Sequence, residues 1–259
     1  MYQKYIKRLF DFICSFLGII LGLPVILILA LAVRCTLGKP VLFRQRRITR
    51  NNRIFTMYKF RTMTDATDRK GRLLPNEARL TKLGSFLRST SLDELPELYN
   101  ILRGDISFIG PRPLIKEYLI LYTDHELKRH KVRGGLIPPE LLYDDITPSW
   151  EQQFDYEIKY ANHVTFRMDC KIIFKLLQGL VKRKSSNYGA YNRNSFYEER
   201  ADRMRNYSLI KSNDELEVEQ KRHKEVVQET YKREDLKLEP DKQDDQVLSK
   251  QKEQREEGE

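Results

Sequence analysis

Between Phe12 and Val33 lie 22 consecutive residues without a charge, almost all of them apolar. Coiled as an α-helix, such a run measures about 33 Å and is long enough to cross the hydrocarbon core of a bilayer. Pro24 stands near its middle, where it removes a backbone hydrogen bond and favours a kink. Lys4, Lys7 and Arg8 precede the run, and Arg34, Lys39, Arg44, Arg46 and Arg47 follow it. The positive-inside rule assigns both flanks to the cytoplasmic face. A bent helix that enters and leaves by one leaflet satisfies both flanks, and a straight span satisfies one. The pattern leaves the spanning and the re-entrant readings open. A cleaved signal peptide does not fit, because the run is too long and no small-x-small site follows it.

After the turn signal Gly38-Lys39-Pro40, the stretches Val41–Arg46 and Ile54–Phe60 alternate apolar and polar residues around Asn51-Asn52. That pattern predicts a β-hairpin with a basic face. Asp65–Pro75 reads as a polar loop. Leu80, Leu83, Phe86 and Leu87 recur at helical spacing, and Leu92, Leu95, Leu98, Tyr99 and Leu102 do so again up to Gly104. Gly110-Pro111-Arg112-Pro113 predicts an extended loop, Ile115–Lys131 a helix, and 133–149 an irregular stretch rich in Gly, Pro and Asp. From Trp150 to about Val181 the helical period returns. There Phe166, Ile173, Leu177 and Leu180 share a face opposed by Arg167, Lys171 and Lys175. Such a helix can lie in a membrane interface or pack on the protein core. Beyond Asn206 the chain is rich in Glu, Lys and Gln, which predicts disorder or a loose charged helix.

Charge changes this picture. Of 259 residues, the last 59 hold 13 basic and 17 acidic side chains, and the first 200 hold 34 and 20. A basic body on an apolar anchor suits anionic head groups or phosphate-bearing substrates. The basic residues are spread over many elements without an aromatic-studded surface, so nucleic acid is not the expected partner. Cys14, Cys35 and Cys170 have no metal-ligand spacing, which excludes a disulfide-built secreted domain and fits a reducing compartment. The four histidines show no ligand pattern either. No Walker-type loop, dinucleotide fingerprint or Gly-x-Ser-x-Gly elbow is present.

What remains is acids among bases. In Ser91-Leu-Asp-Glu-Leu-Pro-Glu-Leu98, Ser91 and Glu94 have the spacing of a capping box, a purely structural role. The same geometry has a chemical use. A carboxylate in a first helical turn beside Arg88 is held ionised by the helix dipole and the guanidinium. An ionised, positioned aspartate, Asp93, can attack phosphorus, and Glu94 can hold the hard divalent cation that such chemistry needs. In the second constellation, Pro111 and Pro113 stiffen the backbone around Arg112, whose planar fork suits phosphate oxygens. Lys59 and Arg61 add cations from the hairpin.

These residues also form a longer order: Lys-Arg-x-Phe-Asp at 7–11, the apolar segment with its central proline, Tyr-Lys-Phe-Arg-Thr-Met at 58–63, and Leu-Arg at 87–88. Ser-Leu-Asp-Glu-Leu-Pro-Glu-Leu at 91–98, Asn-Ile-Leu-Arg-Gly-Asp-Ile-Ser-Phe-Ile-Gly-Pro-Arg-Pro-Leu at 100–114 and Arg-His-Lys-Val-Arg at 129–133 follow. The order closely resembles the bacterial sugar transferases, the small monotopic polyprenyl-phosphate phosphoglycosyl transferases, up to about residue 185. The resemblance implies an α+β, mostly helical fold with a re-entrant N-terminal membrane helix, a small β-hairpin and interfacial amphipathic helices. It implies a membrane anchor at 1–39, a cytosolic catalytic domain at 40–185 and a charged extension at 186–259.

The function so implied is transfer of a phosphosugar from a nucleoside diphosphate sugar, taken as a uridine one, to polyprenyl phosphate. It would start a cell-surface glycan such as an exopolysaccharide, capsule, O-antigen or glycoprotein glycan. Asp93 would be the nucleophile that forms an aspartyl-phosphosugar, and Glu94 the ligand of a Mg2+ cofactor. Lys59, Arg88 and Arg112 would surround the phosphates, while Pro24, Pro111 and Pro113 shape the fold around them. The implied location is the bacterial cytoplasmic membrane with the active site on its cytosolic face, in contact with membrane lipid. A further copy of the chain or other glycan-assembly enzymes are open as partners. The rival reading is a catalytically inactive membrane scaffold for such enzymes.

Two departures from the family pattern stand out. Leu23 occupies the place of the family's serine before the kink proline. After Val132-Arg133 the family continues Pro-Gly-Ile-Thr-Gly-Trp-Ala-Gln-Val-Asn-Gly-Arg-Asn, whereas this chain has Gly-Gly-Leu-Ile-Pro-Pro-Glu-Leu-Leu-Tyr-Asp144-Asp145. Asp145 thereby stands in place of an arginine, which points to a subgroup with its own donor.

Overall fold

A computed structural model of the chain describes residues 1–143, 148–181, 196 and 198–200. A wide helical turn, Tyr2–Ile6, runs directly into helix α1, Lys7–Leu37, which carries Pro24 inside it without a break in the assigned helix. Most of the apolar surface of α1 faces outward, including Phe16, Leu21, Leu27, Ile28 and Leu31. Its polar start is tied to the body of the protein. Arg8 donates to the carbonyls of Ile101 and Leu102, Asp11 accepts from the Ser107 hydroxyl and the Phe108 amide, and Lys7 pairs with Asp169. Its far end is tied to the same body, because Leu29 and Val33 pack in one cluster with Phe60 and Leu87.

Strands β1 (Leu42–Ile48) and β2 (Ile54–Phe60) pair antiparallel, Leu42 opposite Phe60 and Ile48 opposite Ile54. Asn51 and Asn52 both take left-handed φ in the connection, a conformation that asparagine tolerates better than most residues. The expected hairpin is therefore present, shifted by a residue or two at its first strand. Short helix α2 (Asn76–Arg79) and helix α3 (Lys82–Ser89) follow. The Thr81 hydroxyl caps α3 by accepting from the Gly84 amide, so Leu80 lies just outside the helix in extended backbone. Helix α4, Glu97–Arg103, stops at Gly104, whose left-handed φ closes it.

Strand β3 (Ser107–Ile109) pairs in parallel with β4 (Gly135–Ile137), a second small sheet that the irregular expectation for 133–149 missed. The glycine run has a physical reason here. A Cβ on Gly135 would stand 2.1 Å from the Gly110 nitrogen, so the two chains meet only without side chains.

Ile115–Lys131 is not the helix expected. It forms two 3-10 turns, Lys116–Leu121 and Glu126–Lys131, separated by extended backbone at Tyr122. The Glu126 carboxylate accepts from the Thr123 amide while the Thr123 hydroxyl accepts from the Glu126 amide. This reciprocal pair starts a new turn and cuts the apolar period. A turn at Pro139–Leu142 leads towards helices α5 (Trp150–Asn162) and α6 (Phe166–Val181), which are separate rather than continuous. α5 carries a complete capping box at Ser149 and Gln152.

Among the described side chains of α6, Ile172 and Asp169 are buried, and Phe166, Ile173, Phe174 and Leu177 are exposed. Leu180, the fourth residue of the face expected from sequence, lies outside the described side chains, as do Asp144, Asp145 and most of 186–259. Phe196 does return to the body. It is 1% exposed and packs among the rings of Tyr118, Tyr122, Trp150 and Phe154, while Arg200 pairs with Glu126.

Candidate active site

The site grows from the contact of β2 with α4. Asn100, fully buried on α4, donates to the Thr56 carbonyl and accepts from the Tyr58 amide of β2. This clamp sets the register that brings Lys59 over the start of α4. There its ammonium donates to Glu94 at 2.6 Å and lies 3.1 Å from Glu97.

Ser91 does not cap a helix. It takes left-handed φ and makes no side-chain capping bond, and Leu92–Glu94 forms a single 3-10 turn ahead of Pro96. Asp93 therefore sits before α4 rather than within its first turn, and the expected support from a helix dipole is weak. Asp93 is 8% exposed. Burial pushes its carboxyl above the usual aspartate range, the nearby charges of Lys59 and Arg88 oppose that, and Glu94 adds to it. Burial thus outweighs the cations in setting the direction of this shift, an effect that the expectation from Arg88 and a helix dipole leaves out. A desolvated carboxylate with cations beside it is poorly stabilised in its resting place, which favours nucleophilic use. Arg88 is itself steadied by a bond to the Thr62 hydroxyl, 3.1 Å away.

Glu97, to which the sequence pattern assigns no role, is 4% exposed. Burial raises its pKa to about 7, with Lys59 pulling the other way. A group raised from 4.5 to about 7 on folding contributes stability that is lost as pH rises across that interval. Unfolding midpoints taken from pH 4.5 to 8 should fall over this window in the wild type and fall less in Glu97→Gln. Parallel curves would show that Glu97 is not the group responsible.

The cationic side of the site continues through Arg47. By its place in the sequence it belongs to the membrane-flanking charges, yet it turns inward to Gln45 and to the Pro113 carbonyl. Its charge is close enough to Arg112, Glu94 and Glu97 for each to act on it. Arg112 lies in the extended Gly110–Pro113 loop, as expected. Glu157 accepts from its amide at 3.0 Å, and Arg129 donates to its carbonyl at 2.6 Å. Both peptide groups of this residue are thereby fixed by a fully buried Arg129–Glu157 pair. Lys59, Arg88, Asp93 and Glu94 thus come together directly, and Arg112 joins them by way of Arg47. Arg61 instead pairs with Asp65 and the carbonyls at the end of α1.

Magnesium takes one or two carboxylates and completes an octahedron with water and substrate phosphates. Glu94, the more exposed of the carboxylates on Lys59, has that character, and Glu97 stands beside it. Lys59 is one ammonium against these two carboxylates, and the Glu94 charge also acts on Glu97. Among the described residues no group of three or more ligand-type side chains forms a cage. The donor set fits a magnesium ion held jointly with a phosphate ligand.

The sequence pattern of the bacterial sugar transferases matches residues 2–183, and every residue of this cluster lies inside that span. The chain belongs to this family. The expected bacterial sugar transferase membership is thereby borne out. It is 43% identical over 168 residues to the sugar transferase EpsL of Bacillus subtilis (strain 168), covering 65% of this chain and 83% of that protein. It is 38% identical over 179 residues to a UDP-glucose:undecaprenyl-phosphate glucose-1-phosphate transferase of Klebsiella pneumoniae, covering 65% of this chain and 38% of that protein. The exopolysaccharide production protein ExoY of Rhizobium meliloti (strain 1021) is 30% identical over 197 residues, 70% of this chain and 87% of its own length. The chain thus spans most of the Bacillus and Rhizobium proteins and well under half of the Klebsiella one.

Proposed function

We propose that the protein moves a phosphosugar from a uridine diphosphate sugar to undecaprenyl phosphate in two steps, and so begins a cell-surface glycan. The observation that carries the reading is Asp93, a buried carboxyl flanked by Lys59, Arg88 and Glu94. A carboxylate oxygen of Asp93 attacks the phosphorus that bears the sugar. The bond from that phosphorus to the bridging oxygen breaks, and the nucleoside monophosphate leaves with the electron pair. A phosphate oxygen of the polyprenyl acceptor then attacks the same phosphorus and returns Asp93 as a free carboxylate.

Arg88 and Lys59 balance charge around the reacting group, and Arg112, with its backbone held by Glu157 and Arg129, is preset for phosphate oxygens. Glu94, with Glu97, would hold magnesium, which when bound neutralises diphosphate charge. Wild-type protein mixed with a UDP-sugar and no acceptor should release about one equivalent of UMP and then stop. Continuous release that depends on acceptor from the first turnover would instead favour direct transfer.

The same reading makes α1 re-entrant in the bacterial cytoplasmic membrane, with the site on the cytosolic face. Support comes from both ends of the helix being tied to one body, through Arg8 and Asp11 at one end and Leu29 and Val33 at the other. A helix with its ends on opposite sides of a core about 30 Å thick has no means of making both sets of contacts. The exposed face of α6, with Phe166, Phe174 and Leu177, would rest in the same interface. The native cysteines are all exposed, so the test needs them replaced first. In that background, Gln3→Cys and Lys39→Cys should both react with an impermeant reagent from the cytosolic side. Reaction from opposite sides would establish a span.

A further inference from the structure

Glu140 lies in the segment where the chain leaves the family pattern, and the two-step chemistry gives it no task. It is 6% exposed, and among the described residues neither carboxyl oxygen has a hydrogen-bond partner. Most buried polar groups are paired, so two orphaned oxygens on one side chain call for an explanation. The turn that carries it is held in place. This turn, Pro139–Leu142, is closed by the Tyr143 amide donating to the Glu140 carbonyl, and the Tyr143 ring stacks on Tyr156 at 3.7 Å. Leu141 and Leu142, next in the chain, pack against the cluster of Ile109, Val132 and Tyr160. The charges that act on the Glu140 carboxyl come from Arg112, on the Gly110–Pro113 loop, and from Arg129 and Glu157 behind it.

We propose that Glu140 reads the sugar of the donor, its orphaned carboxyl bonding to a pair of neighbouring sugar hydroxyls beside Arg112. This rests on the proposed transferase reading, in which Arg112 meets the diphosphate and the sugar is the next group along the donor. The pairing also follows from the protonation state. Burial and the neighbouring Glu157 raise the Glu140 pKa to about 8, against the pull of Arg112 and Arg129. At neutral pH the group is therefore mainly a carboxylic acid, with one O–H to donate and one carbonyl oxygen to accept. Two adjacent hydroxyls, one accepting and one donating, match that pair. A site built to bond a hydroxyl rejects analogues that lack it much more strongly than an apolar pocket does.

The test measures equilibrium binding and UMP release for UDP-glucose, UDP-galactose, UDP-N-acetylglucosamine and UDP-N-acetylgalactosamine. UDP alone serves as the sugar-free control. Glu140→Met should weaken the preferred donor at least about tenfold, bring the four donors within about threefold of one another and leave UDP binding unchanged. Glu140→Gln, which keeps one donor and one acceptor, should retain the wild-type ranking. Equal weakening of all four donors, or an unchanged ranking in the Met variant, overturns the proposal. Should the Met variant not fold, the wild type and Glu140→Gln decide it. The wild-type ranking should flatten as pH rises through about 8 while that of the Gln variant holds, and a wild-type ranking constant from pH 7 to 9 overturns the assignment. If donors bind without UMP release, the transfer reading fails while the binding ranks still judge Glu140. If no donor binds, both fall.

Discussion

Asp93→Asn should abolish turnover, by about a thousandfold or more, while leaving a protein at least as stable as the wild type. The two halves of that expectation come from one environment. The amide is not a usable nucleophile, so no phosphosugar reaches the enzyme and no UMP burst appears. Yet Asp93 is 8% exposed and its carboxyl is pushed above its ordinary range by burial. The ionised form is therefore disfavoured by folding, and stability is lost as pH rises through the folded-state value. Replacing it with a neutral isostere removes that loss. Thermal unfolding at pH 7.5 together with UMP release checks both halves. A variant that is active, or one that is inactive because it melts well below the wild type, would make Asp93 a structural residue.

The second large effect is on stability and lies behind the site. Arg129→Met should cost about 3–5 kcal/mol, the usual penalty for leaving one partner of a buried ion pair alone. Arg129 and Glu157 have no exposed side-chain surface. The guanidinium also donates to the Tyr122 hydroxyl and to the Arg112 carbonyl, and it lies against the Tyr122 and Phe154 rings. Methionine fills much of the volume but leaves the Glu157 charge, among the described residues, with the Arg112 amide and Gln153 to answer it. Adding Glu157→Gln to the variant should recover part of the loss, since the stranded charge disappears. Urea unfolding of the wild type, both single variants and the double variant completes the cycle. A loss below about 1 kcal/mol would mean that water reaches Glu157 and replaces the arginine.

Patterns local in the chain are legible in the letters alone. Asn51-Asn52 marks the hairpin, the apolar run marks α1, and the Asp93-Glu94 pair marks where acids gather beside Lys59 and Arg88. Patterns whose meaning depends on a distant partner are not. Arg47 looks like one more basic flank residue until the Pro113 carbonyl comes to meet it from 66 positions away. Glu97 is a routine helix-start glutamate until β2 lays Lys59 over it. The capping signature at Ser91 misleads because a left-handed turn there brings the acids towards β2 instead of starting a helix. The helix expected over Ile115–Lys131 fails for a reason that is present in the letters. Thr123 and Glu126 have the capping-box spacing, the same signal that Ser91 and Glu94 carry.

The match to the family ends at residue 183, but a ring thirteen positions further on completes the aromatic cluster around Tyr122, whose hydroxyl accepts from Arg129. The span matched by the family and the span that packs into the body are therefore of different length. Phe196 touches Tyr118 and Trp150, and Arg200 pairs with Glu126, so the packing of the body constrains both residues. Drift in the extension should accordingly spare these two positions, and a homologue that has lost the phenylalanine should show a bulkier residue in one of the four rings it touches.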